Sequence, residues 1–318
     1  MRFDRFGLAW ALLAALLAAA ITPWFGAEII WPARLADPGE WDIFARFRLT
    51  RTALGLLAGA SLSVSGCLFQ AVLRNPLASE YTLGVSSGAA LGAVAAIYFN
   101  IPWIWTGAVG GAALALSIIT GIGASERRLT ATSLILAGVA MNSVCSALIM
   151  LMQSTSGFSK SFAVTTWLIG AIDSVPAFQL ACYAGVTLPL AAWVIAKAPD
   201  WDLLSMGDAW AAGRGVRVRS LLWQASLVGS LLAAVTVSLT GPIGFIGLLV
   251  PHIVRRFTGA SHRGLLPASF LLGGAFLTVC DAAARTVLRP AEIPAGVLTA
   301  ILGGPGLIWI LRSPRSGN

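Results

Sequence analysis

Apolar runs long enough to cross a bilayer recur along the whole of this chain, and they leave little choice of architecture. Inside hydrocarbon a backbone N–H or C=O has no water to bond, so a lone spanning segment must satisfy itself as a helix. Taking about 20 apolar residues as one span, ten are readable, at roughly 8–30, 51–73, 82–99, 102–124, 130–152, 176–197, 221–240, 242–257, 265–284 and 294–311. The second, third and seventh to ninth connections are short, so the spans they join are expected to form antiparallel hairpins. Run 242–257 is the shortest and ends in arginines. With 57% hydrophobic and 11% charged residues over 318 positions, the chain reads as an all-α polytopic membrane protein, one transmembrane domain over 1–318.

Charge tests that count. With the N-terminus in the cytoplasm and the spans alternating, fourteen of the 21 basic residues fall inside, among them Arg74, Arg127, Arg128, Lys197, Arg255 and Arg256. Seven fall outside, including Arg48, Arg51 and Arg285. Six acids lie inside, Glu80 counted with them, and seven outside, which leaves the inner side at +8 and the outer side neutral. That is the positive-inside asymmetry. It also accounts for the basic pI of about 10.2 without nucleic acid, since the basic residues are scattered singly and build no patch. Both termini are then cytoplasmic. Arg2, Arg5 and Ala18-Ala19-Ala20 also fit a cleavable signal peptide. The apolar run continues past Ala20 to Trp31, which favours a span.

What the sequence lacks narrows function. The four cysteines, Cys67, Cys145, Cys182 and Cys280, sit inside predicted spans with no C-x-x-C pair, and His252 and His262 cannot build a metal site alone. No H-E-x-x-H motif or P-loop is present. Ion-coupled carriers place ionisable groups at mid-span, and here only Asp281, near a span end, is a candidate. Ion coupling and membrane enzymology are therefore disfavoured, and energy must come from elsewhere. Gly55 and Gly59, Gly84, Gly88 and Gly92, and Gly107 and Gly111 are spaced by four, which puts each set on one helix face for close packing.

Two stretches stand apart. Thr240–His252 is apolar, yet contains Gly241, Pro242, Gly244, Gly247, Pro251 and His252. Irregular backbone at membrane depth needs protein or a water-filled cavity around it, so this is either a kinked packing helix or part of a pathway. The cytoplasmic stretch 200–219 is long for this chain. Leu203, Met206 and Trp210 at spacings of three and four predict one apolar face on a short helix, Asp208 is placed to open a following turn, and Gly213 and Gly215 interrupt it. It is either an interfacial helix or a docking surface for a cytoplasmic partner.

An ordered set of motifs now carries a resemblance. Arg48-Leu-Thr-Arg-Thr52, Ser65-Gly66, Gln70, Arg74-Asn-Pro-Leu-Ala78, Leu83-Gly-Val-Ser-Ser-Gly88, Leu136-Ala-Gly-Val-Ala140 and Trp167-Leu-Ile-Gly170 are followed by Leu204-Ser-Met-Gly-Asp208 and Gly241–His252. His262-Arg263, Leu266-Pro267, Asp281, Arg285 and Glu292–Ala300 complete it. Over nearly its whole length the chain resembles the permease subunit of bacterial ABC importers for iron–siderophore complexes, haem and vitamin B12 (FecCD-type). Thr50 stands where that family usually has proline, and Ala211-Ala212-Gly213-Arg214-Gly215 replaces its usual Ala-Arg-x-Leu-Gly.

The resemblance implies a type II ABC importer permease of ten spans in the bacterial cytoplasmic (inner) membrane, importing an iron chelate or cobalamin. It implies a second permease copy or similar subunit, two cytoplasmic ABC ATPase subunits and an extracytoplasmic substrate-binding protein. ATP and magnesium would sit on the ATPase partner, with no cofactor bound by this chain. Leu203, Leu204, Ser205, Met206, Gly207, Asp208 and Trp210 would couple to the ATPase. Asn75, Leu77, Thr132 and Ser133 would form a cytoplasmic gate, where helix capping is the alternative. Arg48, Arg51 and Arg285 would dock the binding protein, where interfacial snorkelling is the alternative. The substrate-lining residues are ordinary apolar and small ones, and they do not name the chelate. A carrier acting without an ATPase is the competing function.

Overall fold

The computed structural model describes residues 2–26, 28–125, 131–289 and 291–312. Among them no strand occurs, and helices follow one another along the chain: α1 (Arg2–Ile21), α2 (Pro38–Ile43), α3 (Leu49–Leu73), α4 (Val85–Tyr98), α5 (Ile104–Ser125), α6 (Ala131–Thr155), α7 (Phe158–Ile169), α8 (Ala177–Ala196), α9 (Ala198–Met206), α10 (Asp208–Gly213), α11 (Val218–Thr240), α12 (Ile246–Thr258), α13 (His262–Val287) and α14 (Ala295–Arg312).

α3 is the axis of the bundle. It is apolar or small on every side, which marks a helix surrounded by protein, and it packs against α13, α11, α12 and α8. Two of its serines are bonded within the core: Ser65 Oγ donates to the Gly229 carbonyl of α11 at 2.9 Å, and Ser61 Oγ lies 3.3 Å from the Tyr183 hydroxyl of α8. The predicted glycine ladders become real contacts except at Gly84, the left-handed N-cap of α4, which faces Gly138 and Met141 of α6. A Cβ on Gly92 of α4 would run into the carbonyl oxygen of Gly107 on α5, and one on Gly59 into that of Gly273 on α13. α6 is the opposite case, with little of it buried and Leu136, Val139, Val144, Met150 and Leu151 exposed.

Each of the ten predicted runs holds a helix, but six reach spanning length and apolarity among the described residues: Gly7–Trp24, Pro38–Leu73, Ile135–Thr155, Ala177–Ala196, Val218–Thr240 and His262–Val287. Val85–Tyr98 is a shorter apolar helix and α12 has 13 residues, whereas α5 runs on to Ser125 and α14 to Arg312. The shortening has a local cause. Irregular backbone occupies 74–84 ahead of α4 and 241–245 ahead of α12, taking up chain that the apolar pattern assigns to helix. The same segments redirect the chain, so two expected hairpins do not form. α4 packs on α5 and α6 rather than along α3, while α12 packs on α13, α3 and α1 rather than along α11. The hairpins α4–α5, α12–α13 and α13–α14 are present. Short helices α2 and α7 are unread in the sequence; α2 leads into α3, and α7 packs on α4 and α6.

Candidate functional site

The stretch 198–213 folds as two short helices hinged at one glycine. Pro199 sits in the first turn of α9, where its missing N–H costs nothing. Gly207, at φ +131°, ends α9 in a backbone region that side-chain-bearing residues avoid. Asp208 then opens α10, and Gly215 (φ +85°) follows its end. One face of α9 is fixed to the bundle. Trp201 is fully buried, donates its indole N–H to the Val194 carbonyl at 2.8 Å and meets the Trp193 ring edge-on at 5.9 Å. Leu204 is also fully buried, whereas Met206 is 66% and Trp210 52% exposed. Leu203 is half-buried and Ser205 exposed. The continuous face predicted for Leu203, Met206 and Trp210 is therefore divided, because Gly207 places Trp210 on the second helix.

Two polar anchors hold this stretch to the core helices. Arg74, left-handed at the C-cap of α3, donates Nε to the Leu204 carbonyl at 3.1 Å and pairs its guanidinium with Asp208. Asp202 accepts from the backbone N–H of His262 at 2.8 Å, contacts the His262 ring Nδ1 at 2.6 Å and accepts from the Ser261 hydroxyl at 3.2 Å. It thus caps α13 from outside, since Ser261 makes no side-chain cap of its own. Partial burial opposes ionisation of Asp202, but the hydrogen bonds from His262 and Ser261 outweigh it and hold the carboxyl below the usual carboxylate range. Movement of α9–α10 is consequently tied to the C-terminal end of α3 and the N-terminal end of α13, two helices that pack along each other.

Between α3 and α4 the chain turns back towards the core. Asn75 Oδ1 accepts from the Leu77 N–H at 2.9 Å and its carbonyl from the Ala78 N–H at 3.0 Å, a self-bonded turn that leaves Leu77 46% exposed. Asn142 of α6 donates to the Tyr81 carbonyl at 2.8 Å and meets the Ser87 hydroxyl at 2.5 Å, which docks the connection on α6. Thr132 and Ser133 fall in the first turn of that helix, and their side chains lie outside the described residues. Glu80 departs from its predicted place among the cytoplasmic acids. It is 1% exposed, neither carboxyl oxygen has a hydrogen-bond partner among the described residues, and it reaches Gly247 at the level of Leu62, half-way along α3.

The breaker segment is partly enclosed by protein, with Gly241 and Ile243 buried and Pro242, Gly244 and Phe245 half-buried. α11 stops at Gly241 (φ +66°), and Phe245 (φ +70°) opens α12. The Thr240 carbonyl accepts from the Ala171 N–H at 2.9 Å, and the Gly170 carbonyl from the Gly296 N–H at 2.9 Å, so the connections before α8 and α14 satisfy each other and the end of α11. A Cβ on Gly170 would collide with the Pro242 carbonyl, whereas Gly244 faces open space. Pro251 has no N–H, which leaves the Gly247 carbonyl without its helical donor. Gln70 Nε2 supplies one from α3 at 3.3 Å. His252 bonds back to the Leu248 carbonyl of its own helix at 2.7 Å.

At the opposite ends of the same two core helices lies an ion cluster. Arg51 of α3 donates to Asp281 of α13 through Nε (3.2 Å) and Nη2 (3.0 Å) and to Glu292 through Nη1 (3.1 Å). Arg285 Nε lies 3.0 Å from the other face of Asp281, with both side chains 2% exposed. Arg48 is more open and donates to the Glu28 carbonyl at 3.1 Å. Arg48, Arg51, Arg285, Glu292, Ser174, Gly26 and Phe47 line a cleft of about 200 Å³. The three predicted arginines are together, but Arg285 is a buried ion-pair partner and not a rim charge.

Sequence reasoning found the grouping of Arg48, Arg51 and Arg285 and the short-helix segment around Leu203–Trp210. It missed the Asp202–His262 cap, the Asn142 dock and the burial of Glu80. Only the first left a signal, a lone histidine opening a helix that has no capping acid nearby in sequence. Among the described residues no three His, Cys, Asp or Glu side chains are grouped to hold a metal ion.

Known proteins share the sequence and fold over nearly the whole chain. The FecCD transport family matches residues 8–313. The hemin transport system permease protein HmuU of Yersinia pestis is 36% identical over 298 residues, covering 91% of this chain and 89% of its own. The vitamin B12 import system permease protein BtuC of Klebsiella pneumoniae is 38% identical over 297 residues, covering 87% and 86%. A solved inward-facing metal-chelate type ABC transporter superposes with a TM-score of 0.88 at 29% identity, over 96% of this chain and 98% of that one. The chain belongs to the FecCD transport family.

Proposed function

We propose that this FecCD-family chain is the transmembrane permease of a binding-protein-dependent ABC importer whose cargo is a haem, another iron chelate or a cobalamin. The observation that carries the coupling role is the divided cytoplasmic segment. Trp201, Leu204, Arg74 and Asp202 fix one side of it to α3 and α13, while Met206 and Trp210 remain exposed on the other. Buried apolar anchors in a partner's groove dominate such contacts, and a cytoplasmic ATPase is the partner that fits a permease with no nucleotide motif of its own. Two such subunits would carry ATP and magnesium.

Closure of the ATPases would push α9–α10, and the anchors would pass that motion to the inner ends of α3 and α13. At the other ends of these helices, Arg48 and Arg51 would receive carboxylates of an extracytoplasmic binding protein, with Arg285 setting the position of Asp281. The exposed face of α6 would meet a second permease copy, bringing Thr132 and Ser133 of the two copies towards Asn75 and Leu77 at the cytoplasmic gate. Both termini would lie in the cytoplasm, with the chain multi-pass in the inner membrane. The cargo is best tested on the partner binding protein. Titration with haem, a ferric siderophore and cobalamin, each followed by ATPase stimulation of the reconstituted complex, should give tight binding and stimulation with one class. Stimulation by none of the three would exclude the proposed cargo.

A further inference from the structure

The cytoplasmic ends of α8 and α11 frame a polar pocket of about 430 Å³, walled by Lys197, Asp200, Arg214, Arg217, Ser220 and Gln224 among others. A second concavity beside it shares Arg217 and Ser220 and adds Arg219 and Trp223. Asp200 is matched to Lys197 at 3.5 Å, so it does not neutralise the arginines. Among the described residues Arg214, Arg217 and Arg219 have no carboxylate at ion-pair distance, and all three are exposed. Arg214 is not loose: its guanidinium lies 4.3 Å from the centre of the Trp210 ring. The apolar surface continues away from the pocket into the membrane. Gln224 is followed one and two turns on by Leu227 (54% exposed) and Leu231 (36% exposed) on the same side of α11.

We propose that this pocket holds the phosphate of an anionic phospholipid of the inner leaflet, bound by Arg214, Arg217 and Ser220, with an acyl chain along Leu227 and Leu231. Basic pockets between helices on the cytoplasmic side suit such headgroups, and a guanidinium matches phosphate geometry through paired N–H donors. The leucine track selects a lipid over a free phosphate, because a soluble anion gains nothing from it. Through the Arg214–Trp210 stack the lipid would steady one end of α10, making the coupling segment responsive to membrane composition. The inference rests on the cytoplasmic orientation of this end of the bundle and not on the identity of the cargo.

The test uses the transporter purified with its ATPase partner in phosphatidylcholine nanodiscs containing stepped fractions of phosphatidylglycerol, with retained lipid counted by native mass spectrometry. Each basic residue near an anionic surface contributes about a factor of five, so the Arg214→Gln, Arg217→Gln pair should weaken phosphatidylglycerol retention by about thirty-fold. The Arg214→Lys, Arg217→Lys pair, which keeps the charge, should retain most of it. Equal retention by the native protein and the glutamine pair would overturn the proposal. So would displacement of the lipid by millimolar inorganic phosphate alone, or loss of the ATPase from the glutamine pair with the lipid still bound, which would assign the arginines to the ATPase interface.

Discussion

Asp202 grips His262 twice, through the backbone N–H at 2.8 Å and the ring Nδ1 at 2.6 Å, and so fastens the cytoplasmic segment to the first turn of α13. The native Asp202 carboxyl is held below its unfolded value. Its stabilising contribution is therefore complete above the unfolded carboxylate range and is lost as pH falls through the native value. Asp202→Asn should cost roughly 1–2 kcal/mol, as loss of a charged cap does, and should flatten the acid limb of thermal stability measured between pH 3 and pH 7. An unchanged acid limb would mean that the carboxylate bonds are not formed in the membrane.

Leu204 and Met206 are two residues apart and do different work. Leu204→Asp buries a charge inside the permease and should lower the thermal midpoint sharply, by the several kcal/mol that such burial costs. Met206→Asp, on the exposed side, should leave the midpoint within about 1 kcal/mol of native while weakening ATPase co-purification. Trp210→Asp should behave likewise. The two readouts, thermal unfolding and co-purification, must separate in this way if the exposed side is the docking face.

The outer arginines divide on the same principle. Charge reversal at Arg48 should slow binding-protein association roughly ten-fold at low salt and reduce its salt dependence, as rim charges do. Arg285→Glu leaves Asp281 facing a like charge in a buried site and should impair folding first. Association rates across a salt series, with unfolding curves for both variants, check the distinction.

Glu80 offers a test from inside the bundle. An unpaired carboxyl at this depth is costly, and glutamine has the same shape without the charge. Glu80→Gln should raise the thermal midpoint at neutral pH while leaving ATPase co-purification unaltered. A lower midpoint would show that the carboxylate has a partner in the working assembly.

Much of this arrangement was legible in the chain. The apolar runs located every long helix. The glycine spacings anticipated the α4–α5 and α3–α13 contacts, because a four-residue step fixes a helix face whatever it meets. Hairpins failed as an expectation at α3–α4 and α11–α12, since a short connection says nothing of the irregular backbone that turns one helix away from the next. Glu80 was misplaced for a related reason. Hydropathy counts an acid between two spans as aqueous, and only the path of residues 74–84 reveals that it folds back to the level of Leu62. Leu204 and Met206 look equally apolar in sequence, and the break at Gly207, together with the Arg74 and Asp202 anchors, decides which one is exposed.

In the proposed function, transport through this chain is driven by a separate ATPase acting on α9 and α10. Proteoliposomes containing the permease, its ATPase partner and external binding protein, loaded with or without ATP, test it directly through uptake of the bound chelate. Uptake should require internal ATP and the binding protein, survive collapse of proton and sodium gradients, and fall at least ten-fold in the Met206→Asp, Trp210→Asp pair. Uptake by the permease alone, driven by an ion gradient and indifferent to that pair, would contradict the account.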